Sequence, residues 1–185
     1  MAVFKMTSKN LFHLSENSRI KIFEPLGTAL ISGVNQNVVY AISGQLMHNY
    51  LLPRNCPRVT FYTGHETSET DKKKFFGTST AEYIVCVESK WLPAIQQTTL
   101  YCYEFLPDTF CLYDECAGYY VSPAAVSPVS VKPIYNLIEE MVKRNVELRF
   151  MPSIIELGEL VKESTLNFSL IRMQHAQPKT DNIIM

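Results

Sequence analysis

Leu100-Tyr101-Cys102-Tyr103-Glu104-Phe105, Phe110-Cys111-Leu112-Tyr113 and Tyr119-Tyr120-Val121 follow one another closely. The first run alternates apolar and polar residues, and all three are rich in aromatics, as strands are. Asp114-Glu115-Cys116-Ala117-Gly118 stands between the second and third as a turn ending in glycine. Short aromatic strands in this number, with short helices inserted among them and no regular βαβ alternation, decide the fold class as α+β.

Reading outward toward the N-terminus, further short strands are expected. Leu11-Phe12-His13-Leu14-Ser15 is a first strand, and Ile20–Phe23 is a short extended piece stopped by Pro25. Residues 26–37 hold two glycines and Asn35-Gln36-Asn37, and read as a loop. Val38-Val39-Tyr40-Ala41-Ile42 is a buried-type strand closed by Ser43-Gly44. Gln45–Leu52 predicts about two helical turns before Pro53. Arg58–Thr63 alternates as a strand, Gly64–Thr70 is turn-like, and Lys72-Lys73-Lys74 is a solvated charge run. Tyr83–Val87 is another buried strand, and Ser89–Gln97 a short helix capped by Ser89, with Trp91 on its buried side.

Toward the C-terminus the period changes. Ile134, Leu137, Ile138, Met141 and Val142 form one apolar helical face after Pro133. Val146–Met151 reads as a strand, Ser153 and Glu156 as a capping box opening a helix to about Ser164, and Asn167–Met173 as a last strand. From Gln174 the chain reads as a frayed tail. Neither GxGxxG nor a Walker motif occurs, and no βαβ alternation, so a doubly wound nucleotide fold is not expected. The expectation is a strand-heavy α+β fold with short inserted helices and two C-terminal helices. One domain is expected over residues 1–185, with 174–185 a flexible tail.

The 185 residues are 46% hydrophobic and 19% charged, with a net charge of −1. A near-neutral chain has no global field to attract duplex DNA or an anionic membrane. No apolar run approaches the ~20 residues that span a bilayer, and MAVFKMTSKN has no continuous apolar core of a signal peptide. The five cysteines are odd in number and lack CxxC spacing. Cys86 and Cys102 read as small buried hydrophobes, and no Cys/His cluster has zinc spacing. Reduced thiols and the missing signal predict a cytoplasmic protein.

A few residues have chemical potential. His13 and Ser15 share one face of the first strand, where His13 either hydrogen-bonds a ligand hydroxyl or is a core histidine satisfied by backbone. Tyr40 either stacks on a flat heteroaromatic group or is a core aromatic. Asp114 and Glu115 either supply a carboxylate to a site or form a solvated turn. In Leu52-Pro53-Arg54-Asn55-Cys56-Pro57-Arg58, two prolines stiffen a loop with two arginines. These either hold a diphosphate or brace the loop through carbonyls. His48, His65 and His175 receive no role.

The segments LFHLSE, YLLPRNCPRVTF, KKFFG and DTFCLYDECAGYYVS resemble a small family of bacterial proteins of unknown function, over roughly residues 11–173. More distantly, LFH-x-Ser, a second strand with a central aromatic, and a late acidic residue before a Val-Pro-rich segment resemble the ADP-ribosyltransferase fold. That resemblance implies a central split, mostly antiparallel β-sheet and NAD as substrate; from the residue spacing no metal is expected. His13, with Ser15 beside it, and Tyr40 would bind nicotinamide riboside, Arg54 or Arg58 the pyrophosphate, and Glu115 would be catalytic. The acceptor would be protein, nucleic acid or water. The alternatives are a non-catalytic binding module for a nucleotide-like or phosphorylated small molecule, and an accessory protein-interaction domain.

Overall fold

A computed structural model describes residues 10–178 of the chain. In chain order the elements are β1 (Leu11–Ser15), β2 (Gly27–Ile31), β3 (Val34–Ser43), β4 (Arg58–Tyr62), α1 (Glu69–Phe76), β5 (Tyr83–Glu88), α2 (Leu92–Gln97), β6 (Leu100–Phe105), β7 (Cys111–Asp114), β8 (Tyr119–Ser122), β9 (Ser130–Ile134), α3 (Leu137–Lys143), β10 (Val146–Met151), α4 (Ile155–Lys162) and β11 (Asn167–Ile171). The fold is α+β with mostly antiparallel sheets and short helices, as expected. Among the described residues no helix is long and apolar enough to cross a membrane.

Two compact units divide these elements. One is built from the chain up to Met47 and from Thr99–Ile134, the other from His48–Thr98 and from Tyr135 onward. The first unit is an antiparallel sheet in the order β7-β8-β3-β1-β6-β9, with β2 paired to the first half of β3. Strand alternation puts Leu11, Val39, Ala41, Tyr103 and Phe105 on one face, where Phe23 packs edge-on against Tyr103 and Phe105. The other face carries Val38 and Val121 with Ala29, and Tyr40 packs against them.

The β2–β3 hairpin replaces the loop expected over residues 26–37. Its turn is Ser32-Gly33, with φ of 50° and 81°. Two positive φ values give the right-handed twist of a two-residue hairpin, and glycine takes the second without strain. Asn35 and Asn37 are exposed while Gln36 is half-buried, so the polar run is strand with a wet face. The helix expected over Gln45–Leu52 is a single 3-10 turn, Met47–Tyr50. Pro133 lies inside β9, an edge strand where its missing N–H costs no ladder bond, so α3 begins later, at Leu137. There Asn136 caps the helix by accepting from Glu139 N.

The second unit is a four-stranded sheet in the order β10-β5-β4-β11, with β10 and β5 parallel and the other pairs antiparallel. Ile84, Val85, Cys86 and Val87 are all 0% exposed, so β5 is covered on both faces. The Lys72–Lys74 run belongs to α1, which Ser68 starts by accepting from Asp71 N. The helix buries Phe75 and Phe76 against Phe61, at ring-centroid distances of 5.7 and 5.6 Å. Each such phenylalanine contributes about 1.5–3 kcal/mol by burial. Ser153 accepts from Ile155 N at 3.4 Å, and the N-cap position of α4 falls on Ile154, which makes no side-chain cap.

The tail expected from residue 174 is partly docked. Met173–His175 form a 3-10 turn, Met173 and Ala176 pack on the core, and Gln177 N donates to Glu88 Oε1 at 2.6 Å. Glu88 is completely buried and also pairs with Lys90 at 3.0 Å. The remainder of the expected tail lies outside the described residues.

Candidate functional site

His13, Ser15, Tyr40 and Glu115 all lie in the first unit, and most of their polar groups have local partners. His13 Nδ1 donates to the Tyr40 carbonyl at 3.1 Å. That carbonyl falls between the β2 ladder, which ends at Val38, and the β1 ladder, which begins at Ile42. The imidazole thus satisfies a backbone group that neither strand reaches. Its ring packs 4.8 Å from Phe23. Ser15 Oγ accepts from Asn17 N at 3.1 Å, closing a turn after β1.

Tyr40 donates its hydroxyl to the Thr28 carbonyl at 2.8 Å. Burial, then the neighbouring Tyr113 and Tyr119, hold that hydroxyl above its ordinary pKa. Its ring lies across β2 at Gly27, where a Cβ would come within 2.8 Å of two ring carbons. Glu115 is exposed in the turn Glu115–Gly118, and its carbonyl accepts from Gly118 N.

The expected convergence of His13, Tyr40 and Glu115 on one cleft is not what the sheet builds. His13 pairs with Tyr103 across β6 and faces the Phe23 side. Tyr40 pairs with Val121 across β8 and faces the opposite side, against Tyr113 and Tyr119. Alternation along two neighbouring strands separates them by the thickness of the sheet.

The arginine loop lies in the second unit and divides in role. Arg58 is 2% exposed. Its Nε donates to Asn49 O at 2.9 Å, and its Nη1 donates to Cys56 O at 2.8 Å and more loosely to Pro53 O at 3.4 Å. Its guanidinium also covers the Tyr50 ring at 5.3 Å. Arg58 is therefore the brace of the loop, and the expected anion role is withdrawn for it. Arg54 is exposed. Among the described residues, no group of three or more His, Cys, Asp and Glu is placed to hold a metal ion.

The first unit does build a cleft, around residues that sequence reasoning passed over. A depression of about 320 Å³ is lined by Leu30, Ile31 and Ser32 of the hairpin, Gln36 of β3, Cys111, Leu112 and Tyr113 of β7, Val121 of β8, and Pro123. The β7–β8 ladder runs Leu112↔Tyr120 and then Asp114↔Tyr119, which leaves Tyr113 as the extra residue of a β-bulge. Bulges re-aim side chains. Tyr113 contacts the Tyr40 ring edge-on at 6.1 Å, and Tyr40 contacts Tyr119 edge-on at 6.2 Å. A row of three tyrosines runs from the cleft into the sheet. Leu30, Leu112 and Tyr113 remain 59%, 54% and 39% exposed, an uncovered apolar rim. The Ser32-Gly33 dipeptide and the spacing of Val34, Gln36, Val38 and Tyr40 were the signals that could have revealed this hairpin face.

A family model described as a family of unknown function, DUF6886, matches residues 12–176. The chain belongs to that family. No curated protein and no solved structure matches it. Membership in DUF6886 accords with the resemblance of LFHLSE and YLLPRNCPRVTF, whereas nothing in these comparisons supports the more distant likeness to ADP-ribosyltransferases.

Proposed function

We propose that this DUF6886 chain is a binding module for a small, flat heteroaromatic molecule of nucleoside type, seated in the cleft beside Tyr113. The observation that carries the reading is the bulge that sets Tyr113 into a cleft of about 320 Å³ with Tyr40 packed behind it. That volume lies at the small end of ligand cavities, which run from about 300 Å³. Leu30, Leu112 and Val121 supply apolar walls, and the Gln36 amide supplies one donor and one acceptor group for the edge of a heterocycle. Tyr40 does not line the cleft and would serve as the support of Tyr113, in place of the stacking expected of it. NAD is a candidate ligand through its heterocycles. Catalysis by His13, Tyr40 and Glu115 together is not favoured, because His13 and Tyr40 face opposite sides of the sheet.

Calorimetric titration with nicotinamide, 1-methylnicotinamide, adenosine and NAD tests this. At least one is expected to bind, and Tyr113→Ala to weaken it about 5- to 150-fold, the worth of one aromatic stack of about 1–3 kcal/mol. Glu115→Gln should retain binding of the uncharged ligands, with no nicotinamide released from NAD. Binding by none of the four, or binding indifferent to Tyr113→Ala, overturns the proposal. Nicotinamide release that disappears in Glu115→Gln would favour the transferase instead.

A further inference from the structure

The elements that build the cleft share an unusual charge pattern. From Ile22 to Pro53 the chain has no lysine or arginine, and from Trp91 to Val131 it has none. These stretches contain β2, β3, β7 and β8 entire. They carry five carboxylates: Glu24, Glu104, Asp108, Asp114 and Glu115. The asymmetry is local to these stretches, because the same unit also holds Arg19, Lys21 and Lys132 outside them.

Asp114 and Glu115 directly follow Tyr113, the residue at the cleft, and both are exposed. Asp114 is oriented by accepting from Ala117 N at 2.9 Å. Glu104 is occupied elsewhere, accepting from Asn10 and Ser130. Of the three tyrosines Tyr113 lines the cleft, and the face of an aromatic ring attracts cations through its quadrupole. A carboxylate pair next to an aromatic cleft, with no cation on its walls, lowers the energy of a positive ligand and raises that of a phosphate.

We infer that the cleft is selective for a planar cation, a quaternised nitrogen heterocycle or an aromatic ammonium, over its neutral isostere and over phosphorylated analogues. This rests on the proposed binding at Tyr113 and adds the sign of the ligand's charge. Leu30, Leu112 and Tyr113 would enclose the ring, and Asp114 and Glu115 would supply the field.

The test compares 1-methylnicotinamide, a cation, with nicotinamide, its neutral counterpart of nearly the same shape. The cation is expected to bind at least about fivefold more tightly at low salt, the range of a partly desolvated cation–π contact. Raising the salt tenfold should weaken the cation and leave nicotinamide unchanged. In the double variant Asp114→Asn with Glu115→Gln, where Asn can still accept from Ala117 N, the preference should shrink severalfold. If both ligands bind equally and both are lost in Tyr113→Ala, the cleft stands and charge selection is overturned. If neither ligand binds, charge selection is overturned, and if adenosine and NAD fail as well the proposed function falls with it.

Discussion

At the residue scale, the arginine loop shows how one sequence pattern hides two roles. Arg58 donates to carbonyls that the stiff Pro53–Pro57 loop turns inward, so its removal leaves buried acceptors without donors. Arg58→Ala is expected to cost on the order of 3 kcal/mol, read from the urea midpoint. Arg54→Ala, at an exposed position, should change stability by less than about 1 kcal/mol. Equal effects at the two positions would refute the division. The thiols separate in a similar way. Burial pushes Cys56 and Cys86 up to about 12, whereas Cys111 is exposed. Iodoacetamide at pH 8 should label Cys111 in the native protein and spare Cys56 and Cys86 until denaturant is added, because only the thiolate reacts. Which arginine faced solvent was not legible from Pro-Arg-Asn-Cys-Pro-Arg, since that depends on where the loop carbonyls point. The buried state of Cys86 was legible from its apolar strand. Cys102 was read the same way, but it is only half-buried, with its sulfur 3.7 Å from Met47 Sδ.

At the element scale, most strands were visible as apolar alternation, and the errors fell where turn chemistry decided the outcome. Ser32-Gly33 closes a hairpin, so Asn35-Gln36-Asn37 is strand rather than loop. Pro133 sits in an edge strand, so Ile134 belongs to β9, and Leu137, Ile138, Met141 and Val142 to α3. The bulge at Tyr113 depends on register with β8 and leaves no mark in composition. Gly33→Ala should lower stability by about 1 kcal/mol, because a Cβ at φ 81° is strained. The β6–β9 pair predicts a pH effect. Hydrogen bonds from Ser130 first and Asn10 second hold Glu104 below the usual carboxylate range. A depressed folded-state pKa contributes stability above the unfolded carboxyl value of about 4.3, and that stability is lost as pH falls through the lower folded value. Between pH 7 and 3 the urea midpoint should fall less steeply in Glu104→Gln than in wild type. Identical slopes would show that these bonds do not favour the charged form.

At the scale of the whole molecule, the two units are interleaved along the chain, and no contiguous half contains either sheet. Residues 1–98 hold β1–β3 without β6–β9, and β4–β5 without β10–β11. That fragment is expected to lack cooperative unfolding by circular dichroism, and a sharp transition would contradict the division. Interleaving also explains why no linker could be found in the sequence, since the chain passes between units within the 3-10 turn Met47–Tyr50, between α2 and β6, and between β9 and α3. The α+β class followed from many short strands and a few helices, but which faces those strands share was beyond periodicity alone. The proposed function rests on that question, because the sheet puts His13 and Tyr40 on opposite sides and Tyr113 beside Tyr40. The most direct test is an NMR titration of the isotopically labelled protein with 1-methylnicotinamide. The account predicts saturable shifts centred on Gln36, Cys111, Tyr113 and Val121. Shifts centred on His13 or Arg54, or none at millimolar ligand, would contradict it.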